Sequence, residues 1–189
     1  GCECNLACDV DKACRETYKI NYGIDPHPDV KKIIPEEIED MDIICGGFPC
    51  QAFSNAGNKK TFEDDRGLLF DEIMKIAKVK NPKFMFLENV KHILKVGDGE
   101  VIEYIKGKLD KFGYVVQIFE ISPHQYGIPQ QRERVYFVCV RKDIYNGEDI
   151  VLPKPEFNID FESVLDKQED IDDKYFIKGD ILKCLEAWD

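Results

Sequence analysis

Residues 40–51 read DMDIICGGFPCQ. The run Ile43-Ile44-Cys45, followed by two glycines and Phe48, is short, apolar and β-branched, which predicts a buried strand. Pro49 ends it, because a residue without a backbone donor and with a fixed φ cannot continue a central strand. Cys50 is thereby delivered just past a strand end. From Gln51 to Gly67 the chain runs QAFSNAGNKKTFEDDRG, polar and glycine-spaced, with neither a helical nor a strand period. Cys50 therefore has two readings. It is a small packing thiol, or it is a nucleophile facing a cleft, if cations or a helix terminus favour its thiolate.

Working outward, CECNLACDV predicts a strand leading into a helix, DKACRETYKINY, that stops near Gly23. Leu68, Leu69, Ile73, Ile76 and Ala77 recur at helical spacing, and that helix ends before Asn81-Pro82. KFMFLENV is a further strand, and EVIEYIKGKLDKF an amphipathic helix ended by Gly113. Two more strands, YVVQIFEIS and RVYFVCV, flank PHQYGIPQQRER. Strands alternating with helices indicate an α/β domain over residues 1–150, with a mostly parallel sheet flanked by helices. Ligands of such sheets bind beyond the carboxyl ends of the strands, where Cys50, Glu88-Asn89-Val90 and the Gln130–Arg134 loop all fall. After Val151 the pattern fades into an acidic connector, residues 151–189, with one short helical stretch near its end.

The 189 residues, 43% hydrophobic and 11% aromatic, suit one globular domain. No stretch approaches the roughly 20 apolar residues of a membrane span, and no signal-like start is present, so a cytoplasmic protein is expected. The formal charge of −11 argues at first against nucleic acid. From Glu148 onward, however, 13 acids face 5 bases, so most of the excess sits in the last part of the chain. Cys45 and Cys139 lie inside apolar runs and are expected to be buried, reduced thiols. Cys2, Cys4, Cys8 and Cys14 lack the paired spacing of a zinc site, and no metal is expected. His27, His92 and His124 are scattered and receive no role.

Two further constellations stay open when read alone. Glu88, with apolar residues before it, is expected to be partly desolvated, a setting in which a carboxyl can donate a proton near neutral pH. Equally, it is a salt-bridged residue at a strand end. Arg132 and Arg134 alternate before a strand and would point the same way, gripping a planar polar group or phosphates. The alternative is a solvated edge around Glu133. Asp9 reads chiefly as an N-cap of the helix after it.

Together, GGFPCQAFSNAG, FEDDRGLLF, PKFMFLENVKHIL and YGIPQQRERVYFV, in this order, resemble the cytosine-5 DNA methyltransferases over residues 1–155, and the bacterial restriction–modification enzymes in particular. The resemblance implies a Rossmann-like fold that binds S-adenosylmethionine as methyl donor and double-stranded DNA as substrate, with the target cytosine flipped from the duplex. Cys50 would attack C6, Glu88 would protonate N3, Arg132 would fix the base carbonyl and orient Glu88, and Arg134 would support the site. Asn89 and Gln130 would be scaffold. Asp9, Val10, Asp29, Val30, Phe48, Pro49 and Leu69 would hold the cofactor. Gln51, Ser54, Lys59, Lys60 and Arg66, on a lid from Gln51 to Gly67, would meet DNA.

The family's glycine-rich first motif and its target-recognition region are expected outside this sequence. The chain is accordingly read as a fragment or as one part of a split enzyme completed by a second polypeptide, with weak cofactor binding and no turnover alone. An RNA cytosine methyltransferase and a catalytically silent partner subunit are the competing readings.

Overall fold

The computed structural model describes residues 1–49, 69–153 and 162–187. Its helices and strands are, in chain order, α1 (Lys12–Tyr22), β1 (Ile43–Gly47), α2 (Leu69–Lys80), β2 (Phe84–Val90), α3 (Glu100–Lys111), β3 (Tyr114–Ile121), β4 (Arg134–Arg141) and α4 (Asp180–Glu186). Short 3-10 turns occur between them.

The strands form one sheet in the order β1-β2-β4-β3. β1 and β2 are parallel, while β4 runs antiparallel to both of its neighbours. Three strands thus share one direction and β4 opposes them, so the expected mostly parallel sheet is a mixed one. The reason lies in the link between β3 and β4. It contains a single 3-10 turn, Pro123–Tyr126, and no crossover helix to carry the chain back across the sheet. A strand that returns over so short a link pairs antiparallel.

Side chains alternate across each strand, and one face of the sheet is dry. Met85, Leu87, Val135, Phe137 and Cys139 point into a core shared with Phe70, Met74 and Ala77 of α2 and Val101, Ile105 and Leu109 of α3. The last three are spaced by four residues, a stripe on one helix face. Phe48, just beyond β1, stacks at 5.2 Å from Phe70 and 6.4 Å from Phe137, measured between ring centroids. On the other face Phe86 is 41% exposed. Among the described residues, no helix is long and apolar enough to cross a membrane.

Two expectations from the sequence fail here. The segment from Cys2 to Val10 is no strand: it makes one isolated parallel bridge, Cys8 with His27, and its residues 1–5 are exposed. A strand needs a partner for its backbone groups, and β1 is not paired with it. Cys45 is exposed rather than buried, because Ile44 takes the core side of β1 and the next residue must face away. Cys139, by contrast, is fully buried.

Both ends of the α2–β2 turn are clamped. Asn81 adopts φ 46°, the left-handed conformation that ends a helix, and its amide donates to Ala77 O over 2.8 Å. The Tyr114 hydroxyl donates to Pro82 O at 2.7 Å, and Arg141 donates to Asn81 O at 2.6 Å. A second tie joins the strand ends. Buried Asn89 donates from Nδ2 to Phe48 O over 2.7 Å and accepts the Val90 amide at 2.9 Å.

Asn89→Leu would remove the side-chain hydrogen bonds to the Phe48 carbonyl and the Val90 amide. It is expected to cost about 1–3 kcal/mol in urea unfolding; a loss well under that range would show that water replaces the amide. Burial pushes the Cys139 thiol up to about 12 from 9.0, and the Tyr114 phenol up to about 12 from 10.0. Both groups stay protonated in the folded chain while the unfolded chain ionises. Their contribution is therefore complete below pH 9 and is lost as pH rises from 9 towards 12. The urea midpoint should fall across that window, and Cys139→Ala should flatten the fall. An unchanged slope in the variant would refute it.

Candidate active site

The parallel register sets Gly47 beside Glu88, and the antiparallel register sets Val90 opposite Arg134. Glu88, Val90 and Arg134 thereby share the face of the sheet that α2 and α3 leave open. Arg134 sits diagonally across from Glu88, a distance that a long side chain spans. Its Nε lies 2.8 Å from Glu88 Oε1, with 17% of the Arg134 side chain and 38% of the Glu88 side chain exposed. This pair fixes where the Glu88 carboxylate points. Gly47 leaves the room for it: a Cβ there would lie 3.2 Å from Glu88 Oε2.

Around this pair is a cavity of about 320 Å³, lined by Phe48, Pro49, Glu88, Asn89, Val90, Arg132 and Arg134. That is the size of a small-molecule site, roughly 300–1,000 Å³. Arg132 and Arg134 both reach it, as their period-2 spacing predicts. The contact with Glu88 is made by a different arginine than expected, however. Arg134, not Arg132, holds Glu88, because the β2–β4 register puts residue 134 opposite Val90. Arg132 is exposed, and its guanidinium has no ion pair or hydrogen bond among the described residues. Among the described residues it is the free cation of the cavity.

Behind the two arginines, Lys91 bridges Glu120 at 3.0 Å and Glu133 at 3.2 Å. The hydrogen bonds that Lys91 donates to Glu120 first, then to Glu133, push its ammonium above its ordinary range. Glu133 is thus held by Lys91. Gln130, read as scaffold, acts through its backbone: its carbonyl accepts the His124 amide at 3.1 Å and its amide donates to Ile128 O at 2.7 Å.

Of the seven residues expected to hold a cofactor, Phe48 and Pro49 line this cavity; Asp9, Val10, Asp29, Val30 and Leu69 do not. Leu69 packs on the core. Asp9 is not the cap of α1. That place belongs to Asp11, whose carboxylate accepts the Cys14 amide at 2.9 Å, while Asp9 Oδ1 accepts the Asp11 amide at 2.8 Å. Asp29 Oδ1 similarly accepts the Lys31 amide at 3.0 Å. The two acids do lie on one side of the bridge between Cys8 and His27. Burial pushes the Cys8 thiol up, and the charges of Asp29 and Asp9 push it further. Val10 is exposed and Val30 half-buried.

Cys50, Gln51, Ser54, Lys59, Lys60 and Arg66 lie outside the described residues, as does the lid from Gln51 to Gly67. Sequence reasoning missed Gly47, Lys91 and Ser122. For Ser122 the signal was present: Ser-Pro-His-Gln has the Ser-x-x-Gln spacing of a capping box, and that box is formed. For Gly47 and Lys91 no local signal exists, since their partners are set by strand register.

The model of the family described as C-5 cytosine-specific DNA methylase matches residues 1–184. The Type II methyltransferase M.HhaI of Haemophilus parahaemolyticus is 41% identical over 155 residues, which are 82% of this chain and 47% of that protein. The Type II methyltransferase M1.ScrFI of Lactococcus lactis subsp. cremoris is 43% identical over 173 residues, 88% of this chain and 44% of that one. The chain spans about half the length of these curated relatives. Among solved structures, a mutant DNMT2 of Spodoptera frugiperda superposes with a TM-score of 0.72 over 99% of this chain and 59% of its own, at 24% identity, a likeness of fold. Matched almost from end to end, this chain belongs to the family of C-5 cytosine-specific DNA methylases.

Proposed function

We propose that this chain is the catalytic part of a DNA cytosine-5 methyltransferase of the restriction–modification type. It would work on a cytosine flipped out of double-stranded DNA. The observation that carries the reading is the convergence of Glu88, Arg132 and Arg134 on one cavity whose wall includes Pro49, the residue before Cys50. A base must leave the stack for such a cavity to reach its ring edge.

The chemistry follows from these groups. The Cys50 thiolate attacks C6 of the base, forming an S–C6 bond, while Glu88 gives a proton to N3 and so quenches the charge that the attack creates. The ring is no longer aromatic, and C5 becomes nucleophilic. Arg134 keeps Glu88 aimed, and Arg132 offers its unpaired guanidinium to the base carbonyl. After methylation at C5, solvent water takes the C5 proton, the C5–H electrons form the C5–C6 double bond as the S–C6 bond breaks and the Cys50 thiolate leaves, and the N3 proton returns to Glu88.

S-adenosylmethionine, when bound, supplies an electrophilic methyl group. The residues available suit it. Asp9 and Asp29 each spend one carboxylate oxygen on a local amide and keep the other to accept from hydroxyl or amino donors. Each acid is followed by a valine, Val10 and Val30, that offers apolar contact to a ring. Phe48, Pro49 and Leu69 would complete that wall. Gln51, Ser54, Lys59, Lys60 and Arg66 would meet the DNA backbone and the opened duplex.

Residues 151–189 would lead from the catalytic domain towards the part of the enzyme that reads DNA sequence. That part, and the remaining cofactor contacts, would come from further sequence or from a second polypeptide. A place at the nucleoid fits this substrate.

The test is covalent capture. The protein, purified with whatever polypeptide accompanies it, is incubated with S-adenosylmethionine and either DNA or RNA containing 5-fluorocytosine. An adduct on DNA that disappears in Cys50→Ala is expected, and Glu88→Gln should slow its formation by about 10²–10⁴-fold. An adduct on RNA alone would reassign the substrate, and none on either would remove the catalytic reading.

A further inference from the structure

Ser122 follows β3 and is 3% exposed; with Asn89 it is one of two buried polar residues among those described. Its surroundings form a closed loop back to the cavity. The Ser122 amide donates to Gln125 Oε1 at 2.8 Å, and the Gln125 amide donates to Ser122 O at 3.0 Å. Gly127, at φ 79°, turns the chain, and the amide of His124 closes the loop on Gln130 O at 3.1 Å. At the centre, Ser122 Oγ accepts the backbone amide of Arg132 at 2.9 Å and lies 2.8 Å from His124 Nδ1.

An amide N–H can only donate, so Oγ is the acceptor towards Arg132. The hydroxyl hydrogen is then left for His124 Nδ1, which takes it when the imidazole carries its own proton on Nε2. Each of the two links fixes the other: the histidine stops the hydroxyl from rotating, and the hydroxyl lone pair stays aimed at Arg132. This matters because the Arg132 side chain has no partner of its own among the described residues. Among those residues, its direction into the cavity is set by the backbone from which it leaves. Arg134, in contrast, is anchored by strand pairing and by Glu88.

We propose that Ser122, backed by His124, is a positioning residue that holds the Arg132 backbone so that its guanidinium enters the cavity. The inference rests on the reading of that cavity as the methyltransferase active site. Small displacements of a group at a reacting centre cost large factors in rate.

Two measurements test it. Hydrogen exchange at the Arg132 amide reports the bond without reference to catalysis, and Ser122→Ala should speed it by about tenfold or more. Methylation kinetics report the consequence. Ser122→Ala should lower kcat by about tenfold or more while leaving the KM for S-adenosylmethionine unchanged, and Ser122→Thr, which keeps Oγ, should recover most of the loss. In an Arg132→Ala background the same serine change should alter kcat by less than about twofold, because the two act as one unit. An equal loss in both backgrounds would make Ser122 merely structural, and unchanged exchange at Arg132 would remove the bond; either result overturns the proposal. Should Ser122→Ala fail to fold, His124→Ala is read by the same two measurements, with the same outcomes deciding. If the unsubstituted protein methylates no cytosine, the active-site reading fails, while the exchange experiment still decides whether Ser122 holds Arg132.

Discussion

The 2.7 Å hydrogen bond from Asn89 Nδ2 to Phe48 O joins the ends of β1 and β2 across 41 residues of sequence. Strand alternation leaves Asn89 no choice of side. Leu87 before it and Val135 opposite it face the helices, so its amide is buried and must find partners inside the protein. It finds one in the carbonyl that leads into Pro49 and another in the amide of Val90. The same alternation puts its neighbour Glu88 on the open face. One dipeptide therefore does two tasks: asparagine ties the strand ends from beneath, and glutamate presents its carboxylate above.

The reversed direction of β4 is the second constraint. Had the chain returned to the sheet by a helical crossover, β4 would begin at the opposite end and Arg134 would be a strand length from Glu88. The short link through Pro123–Tyr126 prevents that. It brings the start of β4 to the carboxyl end of β2, where the arginines and the glutamate meet. The loop that carries Arg132 and leads into Arg134 thus also sets the sheet's direction, so topology and site geometry arise from the same link.

Much of this was legible in the sequence, and for identifiable reasons. Helix α1 stops at Gly23, α2 stops at Asn81-Pro82, and α3 stops before Gly113; all are local signals that the structure respects, although the cap of α1 is Asp11 and not the expected Asp9. The place of Glu88 at the carboxyl end of a strand followed from the α/β pattern, whereas Arg132 and Arg134 reach it through the reversed direction of β4. What failed was non-local. An apolar run says that Cys45 belongs to a strand but not that its face is uncovered. Alternating cysteines near the start resemble a strand, yet the segment pairs only at Cys8. That Arg134 rather than Arg132 pairs with Glu88 depends on a register that period-2 reasoning cannot supply, since both arginines point the same way in any register.

Electrostatics reconcile an acidic chain with a cavity built around arginine. A net charge of −11 describes the sum, whereas a ligand senses charges within roughly a Debye length, about 8–10 Å. Near the cavity, cations and anions are matched almost one for one: Arg134 with Glu88, and Lys91 with Glu120 and Glu133. These pairs spend their charge on holding geometry. Arg132 alone, among the described residues, is left with its guanidinium uncommitted. Such a site presents to a flat, polar ring the Arg132 guanidinium on one side and the Glu88 carboxyl group, aimed by Arg134, on the other. That asymmetry, rather than a broad basic surface, distinguishes the cavity from the rest of an acidic protein.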